Sequence, residues 1–270
     1  MRRLTVIITL FLLACFQQQA AAQTKLHVGV TTAVNSTFVL DKGLQEDPRY
    51  QSVSNYEWAP IGLALGVDIT NGFGLQIESI MASQGQIFEV IDVAKKVVGE
   101  RKIELDYVHV PLLLKFMSKK NGRVRMNYSL GPQFSILTSG IETLEYAAST
   151  QKIPEGVTPP EGATPNLDGT YDVPALSNTV LMSTATSTEF EKFKTAELQI
   201  AGGIGADIDL TTNIYLSGML RANYSITDMR NSDLIETIKN GDQVSDLFGK
   251  RANLLLGLQL GVHYVFGGIK

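Results

Sequence analysis

Leu254-Leu255-Leu256-Gly257-Leu258-Gln259-Leu260-Gly261-Val262-His263-Tyr264-Val265-Phe266 decides how the rest of the chain is read. Leu254, Leu256, Leu258, Leu260, Val262, Tyr264 and Phe266 fall on one phase of a two-residue period, and Leu255, Gly257, Gln259, Gly261 and His263 on the other. Successive side chains in a strand point to opposite sides, so the stretch is a strand with two unlike faces. One face is bulky and apolar; the other is mostly small or polar. A bulky face toward lipid and a small polar face toward a narrow lumen suit the wall of a transmembrane β-barrel. Alternation alone does not say which face is wet, so a soluble β-sandwich or barrel is the competing reading.

Upstream, the same two-faced pattern recurs. Leu26, Val28 and Val30 alternate with His27, Gly29 and Thr31; Ile61, Leu63, Leu65, Val67 and Ile69 with Gly62, Ala64, Gly66 and Asp68. Phe73, Leu75 and Ile77 oppose Gly74, Gln76 and Glu78, and a fourth strand carries Val108, Val110, Leu112, Leu114 and Phe116. Val124, Met126, Tyr128 and Leu130 alternate with Arg125, Asn127, Ser129 and Gly131. A Gly-rich sixth strand runs from Leu198 to Leu210 and a seventh from Ile214 to Ser225. Three tight turns join pairs of these strands, at Asn71-Gly72, Lys119-Lys120-Asn121-Gly122 and Thr211-Thr212-Asn213. Between the pairs lie long polar segments, expected as loops at about 34–56, 85–100, 139–193 and 227–250. The third of these holds Pro154, Pro159, Pro160, Pro165 and Pro174 and reads as a long mobile loop.

Short turns at one end and long loops at the other are the outer-membrane arrangement, turns in the periplasm and loops outside. Closure removes the edge strands that hydrocarbon cannot tolerate. The fold expected is therefore all-β: a closed antiparallel transmembrane β-barrel of about eight strands, an up-and-down meander with both ends of the mature chain in the periplasm. Phe73, Phe116, Tyr264 and Phe266 lie toward the turn end and would form an inner aromatic girdle. Pro111 and Pro132 each remove a ladder hydrogen bond from an interior strand and nearly oppose one another, so a local bulge is expected there.

At the start of the chain, Met1-Arg2-Arg3, the apolar run Leu4 to Phe16 and Ala20-Ala21-Ala22 have the zones of a secretory signal peptide, with cleavage expected after Ala22. The apolar run is too short for an ordinary spanning helix, which needs roughly 20 residues. Residues 23–270 would then be the barrel domain, exported through the Sec pathway. The one cysteine, Cys15, leaves with the signal, so the mature chain has no thiol, disulfide or thiolate metal site. In the other reading, Leu12-Leu13-Ala14-Cys15 is a lipobox and Cys15 an acylated N-terminus. Cleavage after Ala22 removes two arginines and no acid, moving the formal charge from −4 to −6. That argues against nucleic acid as a partner.

Tyr107-Val108-His109-Val110-Pro111-Leu112-Leu113-Leu114-Lys115-Phe116, with Leu130-Gly131-Pro132 in the next strand, resembles the signature of the PorT-like family of outer-membrane β-barrel proteins of the Bacteroidota. The resemblance extends to the Gly-rich sixth strand and loosely to the mature length. It implies an OmpA/OmpX-like barrel of eight or so strands in a Gram-negative outer membrane, in a family with a member tied to protein export. It carries over no catalytic residue. The tail Gly267-Gly268-Ile269-Lys270 departs from the usual barrel ending.

Asp68, Lys115, Arg125, Asp207 and His263 share the inward phase near the turns, and Glu78 and Arg221 form a second inward pair further up. An unpaired buried charge costs several kcal/mol, so these groups are expected to pair and plug the lumen; a proton or ion path is the other use. The histidines, His27, His109 and His263, all take the inward phase, and only His109, with Asp106 three residues away, nears the height a lipid-cleaving site would need. No Walker loop, HExxH or paired CxxC occurs, and Gly202-Gly203-Ile204-Gly205 lies within a strand and not before a helix, so those glycines read as close packing.

No catalytic, cofactor or metal site is therefore expected, and the chain is read as no enzyme. The leading expectation is a structural or interaction barrel, a component of a protein-export or other envelope complex. Its partners would be outer-membrane lipid and envelope proteins met through the loops or turns. A narrow passive pore and a lipid A-modifying barrel enzyme are the alternatives.

Overall fold

The computed structural model describes residues 24–184, 193–239 and 249–267. The segment expected as a signal peptide, residues 1–22 with Cys15, lies outside them, as do residues 268–270 of the tail.

Eight long strands form the wall: β1 (Lys25–Asp41), β2 (Asn55–Asp68), β3 (Phe73–Ile91), β4 (Val97–Met117), β5 (Val124–Tyr146), β6 (Ala196–Asp209), β7 (Ile214–Ser225) and β8 (Arg251–Val265). Each pairs antiparallel with the next, and β8 pairs with β1 from His27↔Val265 to Asp41↔Arg251, closing the barrel. Short connections join β2 to β3, β4 to β5 and β6 to β7, all at one end. In the β4–β5 turn Gly122 takes φ +61°, a left-handed conformation that glycine adopts at no steric cost.

Faces follow the two-residue period. Leu63, Leu65, Ile77, Leu112, Leu114, Leu220, Leu258 and Leu260 stand outward and exposed, while His27, Gln76, Glu78, Lys115, Gln133, Asp207, Arg221 and His263 are buried in the lumen. An outer wall this apolar is stable only against hydrocarbon. At its turn end, Phe73 packs on Phe116 with ring centres 5.5 Å apart, and Tyr264 on Phe266 at 5.2 Å.

At the prolines the outcome differs from the expected bulge. Pro111↔Gln133 and Leu114↔Leu130 belong to one register, so the ladder loses its pairs between them without a shift. A Cβ on Gly131 would fall on the Leu112 carbonyl, so the glycine lets the two strands close up over the gap. The β4–β5 register shift lies higher, between Asp106 and Tyr107.

The four segments expected as loops carry much regular structure. β1 runs on to Asp41 and into a one-turn helix, Lys42–Glu46, whose first amides, Gly43 and Leu44, are capped by the Asp41 carboxylate. β3 continues to Ile91 and β4 begins at Val97, leaving only a tight connection within 85–100. The strand Tyr50–Val53 adds to the edge of β3, and Leu176–Thr184 to the edge of β5, broadening the wall into a sheet that stands above the apolar belt. The Pro-rich segment builds a small second sheet from Ser149–Gln151, Tyr171–Val173 and Thr164–Pro165. A helix, Ser232–Lys239, follows β7.

Above the belt the polarity of the wall inverts. On β4, Lys102, Glu104 and Asp106 now face out and Ile103, Leu105 and Tyr107 face in. The inner side there holds an apolar core of Val39, Leu44, Phe88, Ile103, Leu105, Tyr107, Leu137, Phe193 and Met229. The phase of the strand is unbroken; what changes is the medium outside it, from lipid to water.

Candidate functional site

The lumen is built in tiers. Nearest the turns, Lys115 Nζ lies 2.9 Å from Asp207 Oδ2, and Arg125 reaches the same oxygen at 3.3 Å and Asp68 Oδ2 at 3.5 Å. Asn127 donates to Asp207 Oδ1 at 2.9 Å. β2, β4, β5 and β6 each supply one of the four charges, so the cluster spans the bore. His263 joins them in a different way: its ring stacks on Tyr215 with centres 4.5 Å apart and its Nε2 meets Ser217 Oγ at 2.9 Å. His27 lies beside both rings, with Nε2 3.8 Å from Asp68.

One tier up, Arg221 Nη1 donates to Glu78 Oε2 at 2.5 Å. The remaining valences are filled: Gln76 Nε2 donates to the other Glu78 oxygen at 2.5 Å, and Arg221 also donates to Gln259 at 2.8 Å, Asn223 at 3.2 Å and Gln133 at 3.3 Å. A buried pair satisfied on every side avoids the several-kcal/mol penalty that either ion alone would incur.

The third tier was not legible beforehand. Glu197 accepts from the Tyr107 hydroxyl, from Ser225 Oγ at 2.8 Å and from Asn253 Nδ2 at 3.1 Å. Beneath it a glutamine relay crosses the bore, Gln133 to Gln199 at 2.9 Å and Gln199 to Gln84 at 3.2 Å. His109 is buried here, stacked on Tyr107 and 2.8 Å from Ser135 Oγ. Asp106 does not join it: it points out of the barrel and accepts from Ser83 Oγ at 2.6 Å. The only signal for this tier was that Glu197, Gln199 and Asn253 share the inward phase of their strands.

The loop-end mouth is tied shut by arginines. Arg251 Nε donates to Asp41 Oδ2 at 2.5 Å and Arg101 Nε to Glu142 Oε1 at 2.8 Å, around the apolar core described above. Beside it, Asp228 accepts from the Arg230 backbone at 2.9 Å, the Arg230 side chain at 2.8 Å and the Arg251 backbone at 3.1 Å. Burial alone would raise the Asp228 pKa, but these donors hold it below the usual carboxylate value.

Two cations with two carboxylates, then one with one, neutralise the lower lumen and cross-link opposite walls. Such an arrangement holds a barrel shut. Among the described residues no group of three His, Cys, Asp or Glu is placed to hold a metal ion.

The sequence model of the outer membrane protein beta-barrel domain matches residues 16–231. This chain belongs to that family. Its barrel is thus an outer-membrane one; in such barrels the short turns are periplasmic and the longer loops extracellular. A search of curated proteins found no match. Among solved structures, Ail, the attachment invasion locus protein of Yersinia pestis, in complex with the heparin analogue sucrose octasulfate, is 10% identical with a TM-score of 0.38, the match covering 90% of this chain and 99% of Ail. OprG from Pseudomonas aeruginosa is 12% identical with a TM-score of 0.42, covering 91% and 96%. The outer membrane protease OmpT from Escherichia coli is 10% identical with a TM-score of 0.39, covering 90% and 96%. Likenesses this remote do not bear on what the chain does.

Proposed function

We propose that this outer-membrane barrel is a non-enzymatic interaction protein that presents its loop-end sheet to another component of the envelope. The observation that carries the reading is the pairing of Tyr50–Val53 with β3 and of Leu176–Thr184 with β5, which extends the wall beyond the lipid belt as a broad sheet. A barrel whose only task was to span or leak would need no such extension. Rigid structure outside the membrane, over a cross-linked lumen, suits recognition. The likeness of Tyr107–Phe116 to the PorT-like signature favours an envelope complex, protein export included, as the setting. Export of the chain itself through the Sec pathway rests on the leader at residues 1–22.

Affinity purification of the tagged protein from its native outer membrane tests this. A stoichiometric envelope protein should co-purify across several detergent strengths, and be lost when Tyr50–Val53 is replaced by a Gly/Ser segment. Recovery of the barrel alone at every strength would overturn the reading.

A further inference from the structure

The periplasmic mouth differs in charge from the rest of the molecule. The chain as a whole carries −4, yet a cavity of about 430 Å³ at the turns is lined by Lys25, Lys119, Lys120 and Arg125, with Asp209 as its one carboxylate. Asp209 is already paired with Lys120. Among the described residues neither Lys25 nor Lys119 forms an ion pair, although Asp68 stands opposite Lys25 in the ladder and Asp209 shares the cavity. Arg125 holds Asp68 and Asp207 only at 3.5 and 3.3 Å and keeps a fifth of its side chain exposed.

We propose that this mouth docks an acidic segment of a periplasmic protein, its carboxylates taken by Lys25, Lys119 and the guanidinium of Arg125. A planar guanidinium matches a carboxylate in a two-pronged contact, while lysines act as point charges around it. The cations come from the start of β1, the β4–β5 turn and β5, so they are spread around a cavity far larger than a single phosphate. Several carboxylates on an extended chain fit that spread. Lys25, Met117, Arg125 and Asp209 take the inward phase of their strands, so the cavity opens within the ring of turns, away from the lipid headgroups that surround Phe73 and Phe116. The proposal is independent of the loop-end reading, since it concerns the opposite face of the membrane.

The test uses the full barrel in phosphatidylcholine nanodiscs and a fluorescein-labelled deca-glutamate peptide, read by fluorescence anisotropy. Saturable binding is expected, weakening several-fold as NaCl rises from ~50 to ~200 mM. Lys25→Gln with Lys119→Gln should weaken it roughly fivefold or more, and Lys25→Arg with Lys119→Arg should retain it. Heat-modifiable migration on gels confirms that each variant is folded. No saturable binding, or equal binding by the Gln variant, overturns the proposal. Displacement by inorganic phosphate at the concentration at which free glutamate displaces, or loss of binding when phosphatidylglycerol is added to the disc, also overturns it, in favour of a simple anion or lipid site.

Discussion

Arg221 of β7 and Glu78 of β3 stand on opposite sides of the eight-stranded ring and meet in the middle, 2.5 Å apart. A pair that spans the bore makes the wall and the plug one structure. Arg221→Met leaves Glu78 as a buried lone charge and should cost about 3–5 kcal/mol. Adding Glu78→Gln removes that charge and should restore most of the loss. Urea unfolding from lipid vesicles, followed by the fluorescence of Trp58, the only tryptophan, measures both. Equal stability of Arg221→Met and wild type would contradict the pairing.

Because every tier of the lumen is cross-linked, the protein should conduct poorly. In a planar bilayer, folded protein is expected to give no large, steady single-channel steps. Such steps would show that the tiers part under a potential and would revive the pore alternative.

Where Pro111 and Pro132 interrupt the β4–β5 ladder, Gly131 allows the backbones to close. Gly131→Val should therefore destabilise by about 1–3 kcal/mol through overpacking. Gly202→Ala, whose Cβ points outward and meets the edge of Leu130 at 3.3 Å and the Ser129 carbonyl oxygen at 3.4 Å, should cost much less. The same vesicle unfolding assay compares them, and a tolerated Gly131→Val would refute the close approach.

Outside the membrane, Asp228 ties the segment after β7 to the start of β8 through Arg230 and Arg251. Its pKa is lowered in the folded state, so the stabilisation is fully present above the ordinary carboxylate value, about 4, and is lost as the pH falls through the lower folded value. Hydrogen exchange of the Met229 amide, which donates to the Arg251 carbonyl, should accelerate relative to its intrinsic rate below pH 4 in wild type and already at pH 7 in Asp228→Asn. No difference at pH 7 would contradict this role.

The belt was legible because lipid and lumen are so unlike that most residues from Leu254 to Phe266 declare their side, the buried Leu255 and Val265 excepted. The loop end was not, for a physical reason. Lys102-Ile103-Glu104-Leu105 keeps strict alternation, but with polar residues now outward and apolar ones inward, as in any water-soluble sheet. A reading tied to an apolar outer face ends the strand where the lipid ends. The pairing of Lys115, Arg125, Asp68 and Asp207 followed from phase and height, and so did that of Glu78 with Arg221. His263 shares their height, yet takes a stacking partner, Tyr215, that sequence spacing does not reveal. Glu197 met the same criterion of phase, yet its partners are neutral donors and no opposite charge marks it in the sequence.

The central claim is that the bulky face of the wall meets lipid and the small polar face closes inward. Cys15 is the only cysteine in the sequence, so with Cys15→Ser single cysteines along β8 can be spin-labelled cleanly in lipid vesicles. Labels at Leu256, Leu258, Leu260 and Val262 should be relaxed by dissolved oxygen, and labels at Gly257, Gln259 and Gly261 by neither oxygen nor a water-soluble nickel chelate. Oxygen access at the odd positions, or nickel access at the even ones, would contradict the account.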